Sequence, residues 1–314
     1  MESGRPQAVQ LVTVDEGAEG QRIDNYLLKV LKGVPKSRIY RLLRKGEVRV
    51  NKSRVKPEFK LGVGDIVRIP PVRVSDPAEK ATAFVSDSLA DTLQNAILFE
   101  DDRLLIINKP SGLAVHGGSG VSLGLIEALR KLRPDAKFLE LVHRLDRDTS
   151  GCVMLAKKRK TLKTLHGLLR GDGVDKRYLA LVEGRWSPRK EQVKLPLLKN
   201  VLNSGERMVK TNPEGKYALT RYQVVQRFSG ATLVEAKPVT GRTHQIRVHC
   251  QAAGHPIIGD DKYGRDEVNQ RFRERGVRRL FLHAYRLRFE LEGEWIEVEA
   301  PLSQDLQLFV NNES

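Results

Sequence analysis

The sequence predicts an α+β protein in two parts: a small basic α/β domain over residues 20–75, and a larger domain over residues 96–314 built on a mixed, mainly antiparallel sheet. Three observations lead there. The 314 residues are 40% hydrophobic and 30% charged, which is enough apolar material for a substantial core in one medium domain with a small companion. Basic residues crowd the early chain, where residues 29–60 hold twelve Lys or Arg against Glu47 and Glu58. Beyond residue 96, short apolar or alternating runs outnumber stretches with helical spacing.

Residues 1–19 read as an N-terminal tail. Ile23, Tyr26, Leu27, Val30 and Leu31 then recur at helical spacing, as do Ile39, Leu42 and Leu43 after Pro35 and Ser37, so two short helices are expected, with Gly46 closing the second. Val48, Val50 and Val55, followed by Gly62, Gly64 and Asp65 ahead of Ile66, Val67 and Ile69, read as short strands joined by turns. Lys36, Arg38, Arg41, Arg44 and Lys45 lie along the second helix and are the candidate phosphate-binding residues; the alternative is a solvated basic helix pair. From Pro70 to about Asn95 no firm period holds, and residues 76–95 are expected to be a linker.

In the larger domain, residues 97–99, 104–107, 178–182, 231–236 and 280–282 read as strands, and residues 121–132 and 159–169 as helices. Residues 245–253 are expected to form a helix ended by Gly254 ahead of Pro256. The net charge of +16 favours capture of a polyanion, with nucleic acid as the expected partner. No stretch approaches the roughly eighteen apolar residues of a spanning helix and the start carries no basic-then-apolar leader, so no membrane role and a cytoplasmic location are expected. Cys152 and Cys250 lack CxxC spacing and are expected to be buried reduced thiols, with neither a zinc site nor a disulfide.

Two strings carry the chemistry. Residues 143–151 read His-Arg-Leu-Asp-Arg-Asp-Thr-Ser-Gly, and residues 242–249 read Arg-Thr-His-Gln-Ile-Arg-Val-His. Asp146, flanked by Arg144 and Arg147, is a carboxylate that guanidinium groups would hold ionised, fit to act as nucleophile or base. Arg247, reaching back from another element, is expected to pair with it in a buried Asp–Arg contact. A purely structural ion pair is the alternative. The run His116-Gly-Gly-Ser-Gly lacks the context of a phosphate loop and reads as a turn.

Residues 141–156, Leu-Val-His-Arg-Leu-Asp-Arg-Asp-Thr-Ser-Gly-Cys-Val-Met-Leu-Ala, resemble the central motif of the RluA family of pseudouridine synthases, which convert uridine in RNA to its carbon-linked isomer. Ile107-Asn-Lys-Pro-Ser-Gly-Leu-Ala-Val-His, Lys176-Arg-Tyr-Leu-Ala-Leu-Val-Glu-Gly and Gly241-Arg-Thr-His-Gln-Ile-Arg-Val-His follow in family order. In the basic domain, Arg22-Ile-Asp-Asn-Tyr-Leu, residues 37–51 and Leu61-Gly-Val-Gly-Asp resemble the S4 RNA-binding domain. Within the family, Gly33-Val-Pro-Lys-Ser, Ala114-Val-His-Gly-Gly-Ser-Gly and Arg147 set the chain nearer the RluC-type branch than the RluD-type.

The resemblance implies isomerisation of specific uridines in large-subunit (23S) ribosomal RNA by glycosidic cleavage, base rotation and reattachment through C5. It makes Asp146 the catalytic carboxylate, attacking either C1′ or C6, and Arg247 its partner. It gives Tyr178 a ring that stacks on the freed uracil and a hydroxyl that helps remove the C5 proton. Arg144 becomes the residue that enters the space left by the flipped nucleotide. No cofactor is expected, because product and substrate are isomers; the partner is large-subunit ribosomal RNA or its precursor particle, met by a monomer. An RNA-binding assembly factor without activity, and a glycosylase or hydrolase that releases free base, are the competing classes.

Overall fold

A computed structural model of the chain describes residues 9–31, 34–72, 85–117, 123–201 and 207–312. It divides into two compact units, residues 1–84 and 85–314. Residues 73–84, which take in the end of the expected basic domain and residues 76–84 of the expected linker, and residues 118–122, which cover part of the His116 run and the start of the helix expected at 121, lie outside the described residues.

The first unit runs β1 (Gln10–Thr13), α1 (Ile23–Val30), α2 (Lys36–Lys45), β2 (Arg49–Val50), β3 (Ser53–Arg54) and β4 (Ile66–Ile69). Its four-stranded antiparallel sheet has the order β1-β4-β2-β3. Ile23, Leu27, Ile39, Leu43, Val48 and Val67 form its core, so the helical spacing read from the sequence is the spacing of the buried face. The tail expected over residues 1–19 is corrected in its second half: β1 pairs with β4, and Val14 and Ala18 are buried. A four-residue edge strand with exposed Leu11 has no alternation strong enough to announce itself. On α2, Lys36, Arg41, Arg44 and Lys45 are exposed opposite buried Ile39, Leu42 and Leu43, while Arg38 is half-buried.

The second unit opens with α3 (Asp87–Asn95), β5 (Ile97–Glu100), β6 (Leu104–Lys109), α4 (Leu125–Leu132), β7 (Glu140–Leu141), β8 (Ser150–Ala156), α5 (Arg159–Arg170) and β9 (Val174–Glu183). It continues with β10 (Gln192–Lys194), β11 (Leu197–Val201), β12 (Arg207–Thr211), β13 (Leu219–Phe228), β14 (Ala231–Pro238) and α6 (Gln245–Ala252). It ends with α7 (Asp266–Glu274), β15 (Leu282–Leu291), β16 (Glu294–Glu299) and α8 (Gln304–Asn312). The main sheet has the order β10-β13-β14-β9-β15-β8-β6-β5, with β16 on β15 and β7 on β8. Among the described residues only β15 and β8 run parallel and the other pairs are antiparallel, so the sheet is mixed and mainly antiparallel as the sequence predicts. The hairpin of β11 and β12 stands apart from it.

Two departures have local causes. Residues 87–95, expected to be linker, form α3: Ser86 Oγ accepts from Leu89 N at 3.2 Å to cap it, and Leu93 is buried against Leu105 and Ile107. One buried leucine in nine residues is too weak a period to read from sequence. Of the strand expected at 280–282 only Leu282 lies in β15, because the backbone of Phe281 pairs with Ile258 and Leu181 instead. Residues 104–107 of β6 and 152–156 of β8 are apolar runs because both of their faces are covered, by Leu162 and Leu165 on one side and by Leu125, Ile126 and Leu129 on the other. Cys152 and Cys250 are free and buried, and burial pushes both thiols up to about 12.

Candidate active site

The segment from His143 to Thr149 is held at both ends and underneath. At its exit, β8 passes β15 in parallel, with His283 opposite Ser150 and Ala284 opposite Gly151. Gly151 has φ +109, and a Cβ there would sit 2.2 Å from the Ala284 carbonyl oxygen, so only glycine permits this approach. His283 donates from Nε2 to the Ala300 carbonyl at 3.0 Å and accepts the Ser150 hydroxyl at Nδ1, 2.9 Å away. At its entry, Val142 N donates to the Met154 carbonyl, and His143 Nε2 accepts from Met154 N at 3.2 Å. Burial pushes both His143 and His283 down to about 4, so both are neutral fasteners.

Beneath the segment lies Lys109, fully buried. Its Nζ donates to the carbonyls of Pro110, Leu113 and Arg147 at 2.8, 2.8 and 2.9 Å, which uses all three ammonium hydrogens. Burial pushes this amine down to about 7, opposed by the charges of Asp148 and Asp146. Ser111 Oγ donates to the Asp148 carbonyl at 2.7 Å, and Gly112 N to the Arg147 carbonyl at 3.0 Å. The backbone around Asp146 is thereby fixed from the neighbouring turn.

Asp146 opens into a cleft of about 810 Å³ whose lining includes Arg144, Tyr178, Tyr217, His244 and Arg247. Its Oδ2 lies 3.6 Å from Arg247 Nη1 and 3.8 Å from His244 Nε2. Oδ1 has no hydrogen-bond or ion-pair partner among the described residues. The expected Asp146–Arg247 pair is present but secondary. Arg247 donates through Nε and Nη2 to the two oxygens of Asp260, each at 2.7 Å, and that fully buried bidentate pair is the strong one. Asp260 also accepts from the backbone nitrogens of Lys262 and Tyr263 at 2.9 and 3.0 Å. Gly259 before it has φ +75, and a Cβ would meet the Arg279 carbonyl at 2.1 Å.

Tyr178 lies on β9 opposite the register shift of β15 between His283 and Arg286. An irregularity of this kind re-aims side chains, and this one stands beside the cleft. Burial, helped by the Asp146 charge, raises the Tyr178 phenol above its ordinary value, so at neutral pH it is a protonated hydroxyl and not a phenolate. That bears on its expected part in C5 deprotonation: it can donate or relay a proton but is no ready base. Arg144 lines the cleft and is exposed, whereas Arg147 turns away to Asp148 at 3.0 Å. Lys36, Arg38, Arg41, Arg44 and Lys45 all belong to the first unit.

Residues 103–252 match the family described as RNA pseudouridylate synthase, and residues 21–67 match the S4 domain. The ribosomal large subunit pseudouridine synthase C of Pasteurella multocida (strain Pm70) is 59% identical over 305 residues, 96% of this chain and 93% of that protein. The chain belongs to the RluA family of RNA pseudouridine synthases. Its relative of the same description in Escherichia coli (strain K12) is 56% identical over 304 residues, covering 96% and 95% of the two chains. Among solved structures, human RNA pseudouridylate synthase domain containing 4 superposes on this synthase with a TM-score of 0.58 at 28% identity, covering 71% of this chain and 95% of that one.

Sequence reasoning brought Asp146, Tyr178, Arg144 and Arg247 to this synthase's cleft and overlooked four residues that hold them there. Asp260 and Tyr263 sit in Gly259-Asp-Asp-Lys-Tyr, where two adjacent acids after an apolar run were the available signal. His244 and Lys109 stood inside quoted motifs, but nothing in their spacing tells a buried positioning group from a surface one.

Proposed function

We propose that the protein isomerises specific uridines of large-subunit ribosomal RNA to pseudouridine, with Asp146 as the group that attacks the flipped nucleotide. The observation that carries this is the Asp146 carboxylate itself: it lines a cleft large enough for a nucleotide, with Oδ2 3.6 Å from Arg247 Nη1 and 3.8 Å from His244 Nε2 and Oδ1 unpartnered among the described residues. Attack at C1′ or at C6 would use the same oxygen. The oxygen bonds to C1′ or C6, the N1–C1′ bond breaks, the uracil turns, C5 bonds to C1′, and the bond to Asp146 breaks with its electron pair returning to the carboxylate; C5 loses a proton and N1 takes one up, so the atoms balance without an oxidant or reductant.

Tyr178 supports the base-handling half of this chemistry, offering a ring to the uracil and a neutral hydroxyl to donate or relay. Arg144, exposed at the cleft and without an ion-pair partner among the described residues, is suited to fill the gap left when the nucleotide leaves its stack, which costs a few kcal/mol. The exposed cations of α2, Lys36, Arg41, Arg44 and Lys45, with half-buried Arg38 beside them, supply phosphate contacts from the first unit. The ribosomal substrate rests on the descriptions of the relatives at 56–59% identity. A monomeric, cytoplasmic enzyme is part of the same reading. The test is to incubate the protein with unmodified large-subunit ribosomal RNA and map pseudouridine by carbodiimide adducts and primer extension. Stops at a few uridines support it; release of free uracil instead would make the protein a hydrolase.

A further inference from the structure

His244 adopts φ +52 at the N-terminus of α6, in the left-handed region that strains a side-chain-bearing residue. Such a conformation persists where the surroundings over-determine it. Here the imidazole stands edge-on to Tyr263, with ring centroids 5.6 Å apart, and its Nδ1 lies 2.8 Å from Tyr263 Oη. Tyr263 Oη already accepts from Val209 N at 3.0 Å, and among the described residues His244 Nδ1 is the acceptor left for its proton. That network assigns the tautomer: Tyr263 donates to Nδ1, so the neutral ring carries its hydrogen on Nε2, which faces Asp146 Oδ2 at 3.8 Å. Four charged groups surround the ring. Burial lowers its pKa, Arg247 and Lys262 act in the same direction, and Asp146 and Asp260 oppose them.

We propose that His244 is a positioning residue for the isomerisation, whose Nε2–H shares Asp146 Oδ2 with Arg247 and thereby turns Oδ1 toward the nucleotide. Asp260 governs both arms. It grips Arg247 directly, and through the backbone nitrogen of Tyr263 it sets the ring that orients His244. Two donors on one oxygen define the rotation of the carboxylate, which a single contact at 3.6 Å does not. Contacts of this length tighten when substrate fills a site. The inference rests on Asp146 being the attacking group.

The experiment is single-turnover conversion of a large-subunit ribosomal RNA transcript at saturating enzyme, with RNA affinity measured separately, for Asp146→Asn, His244→Leu, His244→Gln and Tyr263→Phe. His244→Leu is expected to slow conversion roughly a hundredfold with affinity unchanged, the scale of a misplaced reacting group. His244→Gln, whose amide nitrogen can replace Nε2–H, should recover about tenfold of that loss. Tyr263→Phe should slow the parent but add little to His244→Leu, since both break one arm. With Asp146→Asn inactive, a His244→Leu variant as fast as the parent, or a glutamine variant no better than leucine, overturns the role of His244. If the leucine variant does not fold, Tyr263→Phe decides, and an unchanged rate overturns it. An active Asp146→Asn instead removes Asp146 from its own role.

Discussion

Arg247 gives its two strongest hydrogen bonds, both 2.7 Å, to Asp260 and leaves only Nη1, at 3.6 Å, for Asp146. The guanidinium is thus anchored by one carboxylate and presented to another. Asp146 gains a nearby positive charge without being locked into a tight bidentate pair that would occupy both of its oxygens. The arrangement separates holding the arginine from using it.

Removing the anchor should therefore damage both fold and chemistry. Asp260→Ala leaves a buried guanidinium without its partner and is expected to cost about 3–5 kcal/mol of stability. It should also slow isomerisation at temperatures where the variant remains folded. Urea unfolding and single-turnover rates check the two effects, and a variant with parental values in both would show that Asp260 anchors nothing.

Tyr178→Phe keeps the ring and deletes the hydroxyl. Conversion is expected to fall about a hundredfold while RNA affinity holds, the range for loss of one proton-handling group. Because the phenol is raised above its ordinary value of 10.0, the hydroxyl stays protonated as pH rises to that value. The rate should show no tyrosine-dependent rise between neutral pH and 10; a rise present in the parent and absent in the phenylalanine variant would mean the phenolate is the working form.

Acid should loosen the segment that carries Asp146. His143 and His283 are held near 4 in the folded protein against 6.5 when unfolded. A depressed folded value means their stabilising share is complete above 6.5 and disappears as pH falls through 4, at about 3 kcal/mol for each group. Urea midpoints between pH 7 and pH 4 should therefore drop less in His283→Asn than in the parent. Equal drops would argue that His283 is not buried in its neutral form.

The basic helix should act on binding alone. Replacing Lys36, Arg41, Arg44 and Lys45 together by alanine is expected to weaken RNA affinity and to flatten its salt dependence by about one unit of slope for each lost phosphate contact. The rate at saturating enzyme should not change. A slope equal to that of the parent would exclude this face from phosphate contact.

Periodic and apolar elements were legible in the sequence. The helices of the first unit, strands β5, β6, β9 and β14 and helices α5 and α6 appear close to where their patterns put them, because a buried face imposes a repeat that side chains cannot hide. Elements held by few buried groups were not. The edge strand β1 and the helix α3, anchored by Leu93 and a Ser86 cap, look like tail and linker until their partners are in place. The site divides the same way. Asp146, Tyr178, Arg144 and Arg247 stand in long, specific strings, whereas Asp260, 13 residues beyond Arg247, and Lys109, 37 before Asp146, act through contacts that only folding creates.

The measurement that bears most directly on the account is pseudouridine mapping on large-subunit ribosomal RNA treated with the parent protein or with Asp146→Asn. The account predicts modified uridines with the parent and none with the variant, which should still bind the RNA with parental affinity because phosphate contacts lie elsewhere. A variant that converts the same uridines within about tenfold of the parental rate would contradict it.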